Sequence, residues 1–158
     1  MARFVVTSGG TTTALRERRT PSLNGTLTGT TYSLGSLIVS SERRIVHERG
    51  QTFPDTWRRV GTNRWVNQIL AMGAVNMIPV TDLNPVTLTV RTGSSTALNV
   101  RRGPGTVFPT ATTNNSLANG TRVVPTHSAT PPTNFSPNNR GAWVRIGANR
   151  WVLRSLLN

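Results

Sequence analysis

The feature that most constrains this chain is an internal repeat. Residues 57–66 and 143–152 share Trp, Arg, Gly, Asn, Arg, Trp and Val in the same order, at an offset of 86 residues. Residues 13–21 and 96–104 share Thr, Ala, Leu, Arg, Arg and Pro at an offset of 83 residues. Two blocks that recur in one order indicate that a single unit has been duplicated. The change in offset predicts a short insertion in the second copy, which we expect within residues 130–140, a stretch rich in Pro and Asn.

Each copy has the residue pattern of short β-strands. Residues 57–66 place a Gly/Asn turn between two runs of β-forming residues, which predicts a hairpin, and residues 143–152 repeat the pattern. No ten-residue stretch has a helical period, so the predicted fold class is all-β. Short helical turns are expected only after the hairpins, at residues 67–72 and 153–157.

The repeat divides the chain into two domains and a connection between them. We assign the first repeat to residues 1–72, the linker to residues 73–86 and the second repeat to residues 87–158. The linker is rich in apolar residues and is therefore expected to be packed. Because such small domains bury only about 60% of their unfolded surface, we expect the copies to pack together or on a partner, as part of an oligomer.

The second copy resembles the bacterial SH3-like (SH3b) domains. Residues 96–109 contain the apolar-Asn-Val-Arg-x-Gly-Pro-Gly segment and the following aromatic residue that open those domains. Residues 120–124 are similar to their Gly-Thr-x-Val-x-Val strand and residues 143–146 to their Trp-x-x-Val strand. Residues 150–156 are similar to their closing Gly-Trp-Val segment and Leu. The resemblance spans residues 87–157.

The first copy, residues 3–72, resembles the family through its similarity to the second copy, although its Gly-Pro-Gly turn is altered. The resemblance implies two tandem small SH3-like β-barrels, each partly open. Domains of this family are mostly accessory modules that bind peptidoglycan or other wall polymers, or that mediate protein contacts. They have no catalytic residues of their own, and we expect no catalytic domain beside the two copies.

The residue types that catalysis and metal binding require are scarce in this sequence. Cysteine is absent, which excludes thiolate chemistry and cysteine-bound metals. His47 and His127 fall in comparable loops and form neither a metal-site pattern nor a triad. Glu42 and Glu48 lie in an arginine-rich loop, where ion pairs are expected. We therefore predict a protein that is not an enzyme, with no cofactor and no metal.

The charge is strongly one-sided. The chain has 18 basic residues, all arginine, against 5 acidic residues, for a net charge of +13. No acid follows Asp82, so every arginine from Arg91 onward lacks a counter-charge in its own segment. Such a field attracts polyanions. The predicted partners are acidic protein surfaces in an assembly or an anionic cell-wall polymer, with nucleic acid as a further alternative.

Two arginine pairs are the first candidates for contact with such a partner. Arg18 and Arg19 in the first copy, and Arg101 and Arg102 in the second, occupy equivalent places before a turn. Paired guanidinium groups on a loop bind carboxylate or phosphate. The alternative is that one arginine of each pair is solvated and the other packs along the domain.

Two tryptophans are further candidates. Trp57 and Trp143, which begin the hairpins, would stack on sugars or bases if they were exposed. The alternative, which we favour for every tryptophan, is that they fill the small core. The turn arginines Arg64 and Arg150 are expected to be structural and stacked on a neighbouring tryptophan. The last two candidates for partner binding lie two residues beyond the hairpin tryptophans: Arg59 and Arg145.

No segment has the apolar length of a signal peptide or a membrane span, so we expect neither export by a leader nor membrane insertion. The predicted function is that of a structural or binding protein in a larger assembly, such as a virion capsid or tail decoration or a surface structure. Release by lysis would place it in a virion or on an extracellular surface. The alternatives are a cell-wall binding module and a basic protein associated with nucleic acid.

Overall fold

The computed structural model describes residues 1–7, 14–70, 73–93, 96–135 and 141–158. In these residues the chain is built from β-strands, turns and short 3-10 helices, and no helix reaches seven residues. The predicted all-β class is confirmed. The chain divides into two compact units, Met1–Pro79 and Val80–Asn158.

The first unit contains two antiparallel sheets. Its strands are β1 (Ala2–Val6), β2 (Leu15–Arg18), β3 (Leu27–Tyr32), β4 (Leu37–Ser40), β5 (Glu42–Val46), β6 (Asp55–Gly61), β7 (Arg64–Ile69) and the start of β8 (Met77–Asp82). One sheet has the order β3-β2-β7-β6-β5, and in the other β1 lies between β4 and β8. The segment assigned as a linker thus contains a strand, with Met77 and Ile78 buried.

The second unit has shorter strands. They are β9 (Leu88–Thr89), β10 (Leu98–Asn99), β11 (Ser116–Leu117), β12 (Arg122–Val123), β13 (His127–Ala129), β14 (Trp143–Gly147) and β15 (Arg150–Leu153), with the 3-10 helices η1 (Thr133–Phe135) and η2 (Arg154–Leu156). The last residues of β8 pair with β13, and β14 and β15 follow in the same sheet. Two further pairs are formed by β10 with β11 and by β12 with β9. None of the described sheets is closed.

The two predicted hairpins are confirmed, and they have the same register. Arg59 pairs with Trp65 across β6–β7, as Arg145 pairs with Trp151 across β14–β15, and each hairpin has a register shift just before its turn. The turn asparagines Asn63 and Asn149 have φ values of 50° and 49°. Asparagine tolerates this left-handed conformation better than most residues, which explains why both turns carry it.

Two further strand pairs also recur in both units. Leu15 pairs with Tyr32 in the first unit, as Leu98 pairs with Leu117 in the second. The antiparallel pair of β1 and β4, in which Phe4 lies opposite Ile38, has its counterpart in the antiparallel pair of β9 and β12. These pairings define which residues of the two units are equivalent.

The insertion and one helical turn differ from the prediction. The β10–β11 connection is longer than the β2–β3 connection, so most of the extra length lies there and not in residues 130–140. Residues 136–140 lie outside the described residues. The predicted turn at 153–157 is present as η2, whereas residues 67–69 continue β7 because they pair with β6. Residues 71–72 of that predicted turn are not described.

Each unit has its own apolar core, and some of the core positions are equivalent in the two units, as Leu15 and Leu98 are. The first core consists of Phe4, Val6, Leu15, Ile38, Val66 and Met77, and the second of Val90, Leu98, Val100, Ala111, Val144, Val152 and Leu157. Burial of these side chains is the main force that stabilises each unit.

The Gly-Pro-Gly turn of the second unit is specified by close packing. Gly105 has a φ of 146°, and a Cβ there would collide with the backbone carbonyl of Phe135. The rings of Phe108 and Phe135 stack beside it, with centroids 5.8 Å apart. A side chain at position 105 would therefore separate η1 from this turn.

Candidate arginine-based binding site

The hairpin tryptophans are part of the core. Trp57 and Trp143 are 1% and 3% exposed, and Trp65 and Trp151 are buried as well. Their ring faces are therefore closed to solvent, and stacking of Trp57 or Trp143 on a sugar or a base is not available in this conformation. The physical reason is the small size of each unit, in which a large aromatic side chain supplies much of the apolar volume.

The first arginine of each predicted pair stabilises a turn. Arg18 Nη1 donates a hydrogen bond to the Gly25 carbonyl and Arg101 Nη1 donates one to the Phe108 carbonyl, both at 2.7 Å. Arg19 is exposed and Arg102 is half-buried. The second arginine of each pair is therefore the one better placed to meet a partner. Arg101 also lines a cavity of about 250 Å³ together with Trp143.

A buried carboxylate neutralises the turn arginine of the first unit. Glu17 is 1% exposed, and Arg64 donates from Nε to Oε1 and from Nη2 to Oε2, each at 2.8 Å. Tyr32 donates its hydroxyl to Oε2 at 2.6 Å and Thr28 donates to Oε1 at 2.8 Å. Arg64 thus forms a bidentate ion pair with Glu17. We had expected its guanidinium group to stack on a neighbouring tryptophan.

This network shifts the pKa values of its members. Burial alone would raise the pKa of the Glu17 carboxyl, but the hydrogen bonds to the carboxylate and the charge of Arg64 together hold it below its ordinary value. Burial and then the hydrogen bond to Glu17 raise the pKa of Tyr32 to about 12. The hydrogen bond and charge of Glu17 raise the pKa of Arg64. The charged forms of Glu17 and Arg64 are therefore favoured together.

A second carboxylate neutralises the strand arginines of the first unit. Glu42 accepts hydrogen bonds from Arg44 Nε at 2.7 Å and from Arg59 Nη1 at 3.4 Å. The hydrogen bond from Arg44 lowers the pKa of Glu42. The Arg44 guanidinium also lies over the Trp65 ring, 4.9 Å from its centroid. Several arginines of the first unit are thus satisfied by acids or rings of the same unit.

The second unit keeps the equivalent arginines but not these acids. Arg145 corresponds to Arg59, and the residue opposite it is His127 where the first unit has Glu42. Arg150 corresponds to Arg64, and Val100, which is fully buried in the apolar core, stands where the first unit has Glu17. His127 Nε2 lies 3.4 Å from a carboxylate oxygen of Asp82.

The guanidinium groups of these two arginines are partly withdrawn from water. The Nε atoms of Arg145 and Arg150 are buried and have no hydrogen-bond partner among the described residues. Burial lowers the pKa of Arg145. Arg150 Nη2 donates to the Asn114 carbonyl at 3.3 Å. A buried guanidinium nitrogen without an acceptor is energetically unfavourable.

An open groove of about 480 Å³ exposes Arg150. Arg122 lies at the same groove, and Leu117, Val123, Val124 and Ile146 supply apolar contacts. Our sequence interpretation did not assign Arg122 or Arg150 to a binding site. The available signal was the comparison of the two copies, in which the arginine recurs and the glutamate does not.

No group of three or more His, Cys, Asp or Glu side chains suited to a metal occurs in the described part of the chain. Within the same residues there is no helix with the length and apolar character needed to span a membrane. No family model, no curated protein and no solved structure matches this chain. The functional interpretation therefore depends on the residues and their geometry.

Proposed function

We propose that this chain is a non-catalytic binding protein of two SH3b-like modules that docks on acidic partner surfaces in a larger assembly. The observation that carries the proposal is that equivalent arginines are paired with carboxylates in the first unit and not in the second. The first unit pairs Arg59 and Arg64 with its own carboxylates. The second unit presents Arg145 and Arg150 without them, and no acid follows Asp82 in the sequence.

The recurring strand pairs support two modules of one small barrel type. In the second unit Thr89 and Asn158 exchange backbone hydrogen bonds of 2.6 and 2.9 Å, so the first strand meets the end of the chain. In the first unit β1 similarly has β8 as its neighbour. This arrangement brings the two ends of each module together, which supports two modules of similar construction.

Electrostatics favours an acidic protein surface as the partner. Unpaired guanidinium groups on one unit repel each other and attract anions. Carboxylates from a neighbouring protein would neutralise them with bidentate hydrogen bonds. The first unit already illustrates this chemistry, because several of its arginines are paired with Glu17 or Glu42 or lie over an aromatic ring.

The test is a comparison of three polyanions with the full chain. We expect poly-L-glutamate to bind more tightly than purified peptidoglycan sacculi or duplex DNA at matched ionic strength. Arg102→Gln with Arg145→Gln should weaken binding and reduce its salt dependence. Arg16→Gln with Arg49→Gln, which removes two exposed arginines of the first unit, should have a smaller effect.

Other outcomes would redirect the proposal. Preferential binding to sacculi would favour the cell-wall module. Preferential binding to DNA, with a log-log salt slope of about −0.9 per phosphate neutralised, would favour the nucleic-acid alternative. Equal losses in the two double variants would contradict docking through the second unit.

A further inference from the structure

We propose that the groove lined by Arg122 and Arg150 binds the carboxylate of an acidic side chain from a partner protein, which would pair with Arg150 as Glu17 pairs with Arg64 in the first unit. The inference deepens the proposed function and rests on it, since it names one site on the second unit and the group that this site takes.

The first unit provides the template for the interaction. There the turn arginine Arg64 holds a carboxylate through two 2.8 Å hydrogen bonds, and Tyr32 adds a third from its hydroxyl. The carboxylate comes from Glu17 on β2, the strand that pairs with β7. A planar guanidinium fork matched to a carboxylate is the geometry that makes such pairs specific.

The second unit preserves the arginine and removes the internal ligand. Val100 replaces Glu17 and Leu117 replaces Tyr32, so neither residue can bond to the guanidinium. Arg150 Nε is buried without a hydrogen-bond partner among the described residues. The only acid in the sequence of this unit is Asp82, on β8, which lies beside His127. A carboxylate for Arg150 must therefore come from outside the unit.

The groove has the chemistry of an acidic peptide site. Arg122, exposed on β12, replaces the apolar Leu37 of the first unit and adds a second guanidinium. Leu117 and Ile146 are partly buried against the core and line the same groove as Arg150. Two cations beside an apolar surface favour the binding of an acidic residue that is flanked by apolar residues. A nucleic acid would instead require a series of cations spaced along its phosphates.

The experiment uses two capped peptides and the ¹⁵N-labelled full chain. The probes are N-acetylated, C-amidated Val-Glu-Val and its Val-Gln-Val counterpart. The Arg150 Nε–H resonance is identified as the one that is absent from the spectrum of the Arg150→Gln variant. We expect the Glu peptide to shift this resonance and the Gln peptide to leave it unchanged. Arg150→Gln should weaken binding of the Glu peptide by about tenfold or more, since it removes a charge-assisted bidentate contact.

Two controls separate geometry from charge. Arg150→Lys keeps the charge but not the fork, so it should also weaken binding, and it remains informative if Arg150→Gln misfolds. Arg91→Gln removes an exposed arginine of the same unit that does not line the groove, and binding should stay within about twofold of the wild type.

The results also distinguish this inference from the proposed function. If wild type and Arg150→Gln bind poly-L-glutamate equally, the groove assignment is wrong while docking on acidic surfaces stands. If wild type does not bind poly-L-glutamate, the proposed function fails. Equal losses in Arg150→Gln and Arg91→Gln, or tighter binding of inorganic phosphate or duplex DNA at the Arg150 resonance, would overturn the carboxylate site.

Discussion

Glu17 shows how much a single residue determines the polar interior of the first unit. It is buried, it carries a charge, and its carboxylate accepts hydrogen bonds from Arg64, Tyr32 and Thr28. A buried charge is tolerated only when it is paired and its oxygen atoms are satisfied. Because every partner lies on the same small module, this carboxylate ties three strands together through side chains as well as through backbone pairing.

Tyr32, the only tyrosine of the chain, reports directly on this network. Its pKa is raised to about 12 by burial and by the hydrogen bond to Glu17. A raised folded pKa stabilises the folded state below the unfolded pKa of 10.0, and this contribution is lost as the pH rises towards 12. We therefore expect ultraviolet titration to show phenolate formation well above pH 10 in wild type. In Glu17→Gln it should occur at lower pH, because the carboxylate contribution is removed.

The half-buried Glu42 provides the matched control for this titration. Glu42→Gln removes a carboxylate of the same unit that does not contact Tyr32, so the phenolate should form at the wild-type pH. Phenolate formation near pH 10 in the folded wild type would show that Tyr32 is not held by Glu17.

At the scale of the element, the β14–β15 hairpin is the structural centre of the second unit. Trp151 is fully buried and exchanges two backbone hydrogen bonds with Arg101, of 2.8 and 2.9 Å. Arg18 and Trp65 pair in the same way in the first unit. The hairpin therefore holds the arginine-bearing turn and the Gly-Pro-Gly segment in one arrangement.

Truncation of this tryptophan should destabilise the second unit strongly. Trp151→Ala leaves the backbone bonds to Arg101 intact but opens a large cavity, and we expect a loss of about 3–5 kcal/mol in the free energy of unfolding. Urea denaturation followed by circular dichroism measures it. Val86→Ala, at a residue that is 57% exposed, should stay within about 0.5 kcal/mol. A loss below about 1 kcal/mol for Trp151→Ala would be incompatible with its position in the core.

At the scale of the whole molecule, the two units share several strand pairings but differ in charge chemistry. One copy neutralises its turn arginine from within, and the other leaves it beside an open groove. Val100 and Leu117 replace both Glu17 and its hydrogen-bond partner Tyr32, and such a double replacement by apolar residues is often nearly neutral for stability, while the retained Arg150 lies at an open groove. The loss of acid from the second copy can therefore be accommodated without loss of the fold.

This contrast predicts that the first copy can be converted into the second type. Glu17→Val with Tyr32→Leu introduces the residues found at Val100 and Leu117. The freed Arg64 should then bind a carboxylate, and the stoichiometry of the capped Val-Glu-Val peptide should rise from one to two per chain in calorimetric titration. Tyr32→Leu alone, which retains Glu17, should leave it at one. A stoichiometry of one for the double variant, with a native circular dichroism spectrum, would contradict the equivalence of the two sites.

Much of the fold was predictable because its signals are local. The order of β-formers and the Gly/Asn turn specified both hairpins, and the recurrence of those blocks implied that one unit occurs twice. The burial of the tryptophans followed from the apolar volume that such small units need. The site was harder to predict, since we expected the arginine pairs Arg18-Arg19 and Arg101-Arg102 to clamp a ligand, and the first of each pair bonds a turn carbonyl instead.

The sequence by itself determined the two hairpins, the internal repeat and the excess of arginine, because each of these is a property of neighbouring residues or of composition. Only the tertiary structure decided which arginines are neutralised. Arg64 meets Glu17 across 47 residues of chain, and that meeting depends on the register between β2 and β7. Registers between distant strands are set by the packing of the whole unit. For the same reason, only the folded second unit shows that Arg150 lies at an open groove whose lining residues include no carboxylate.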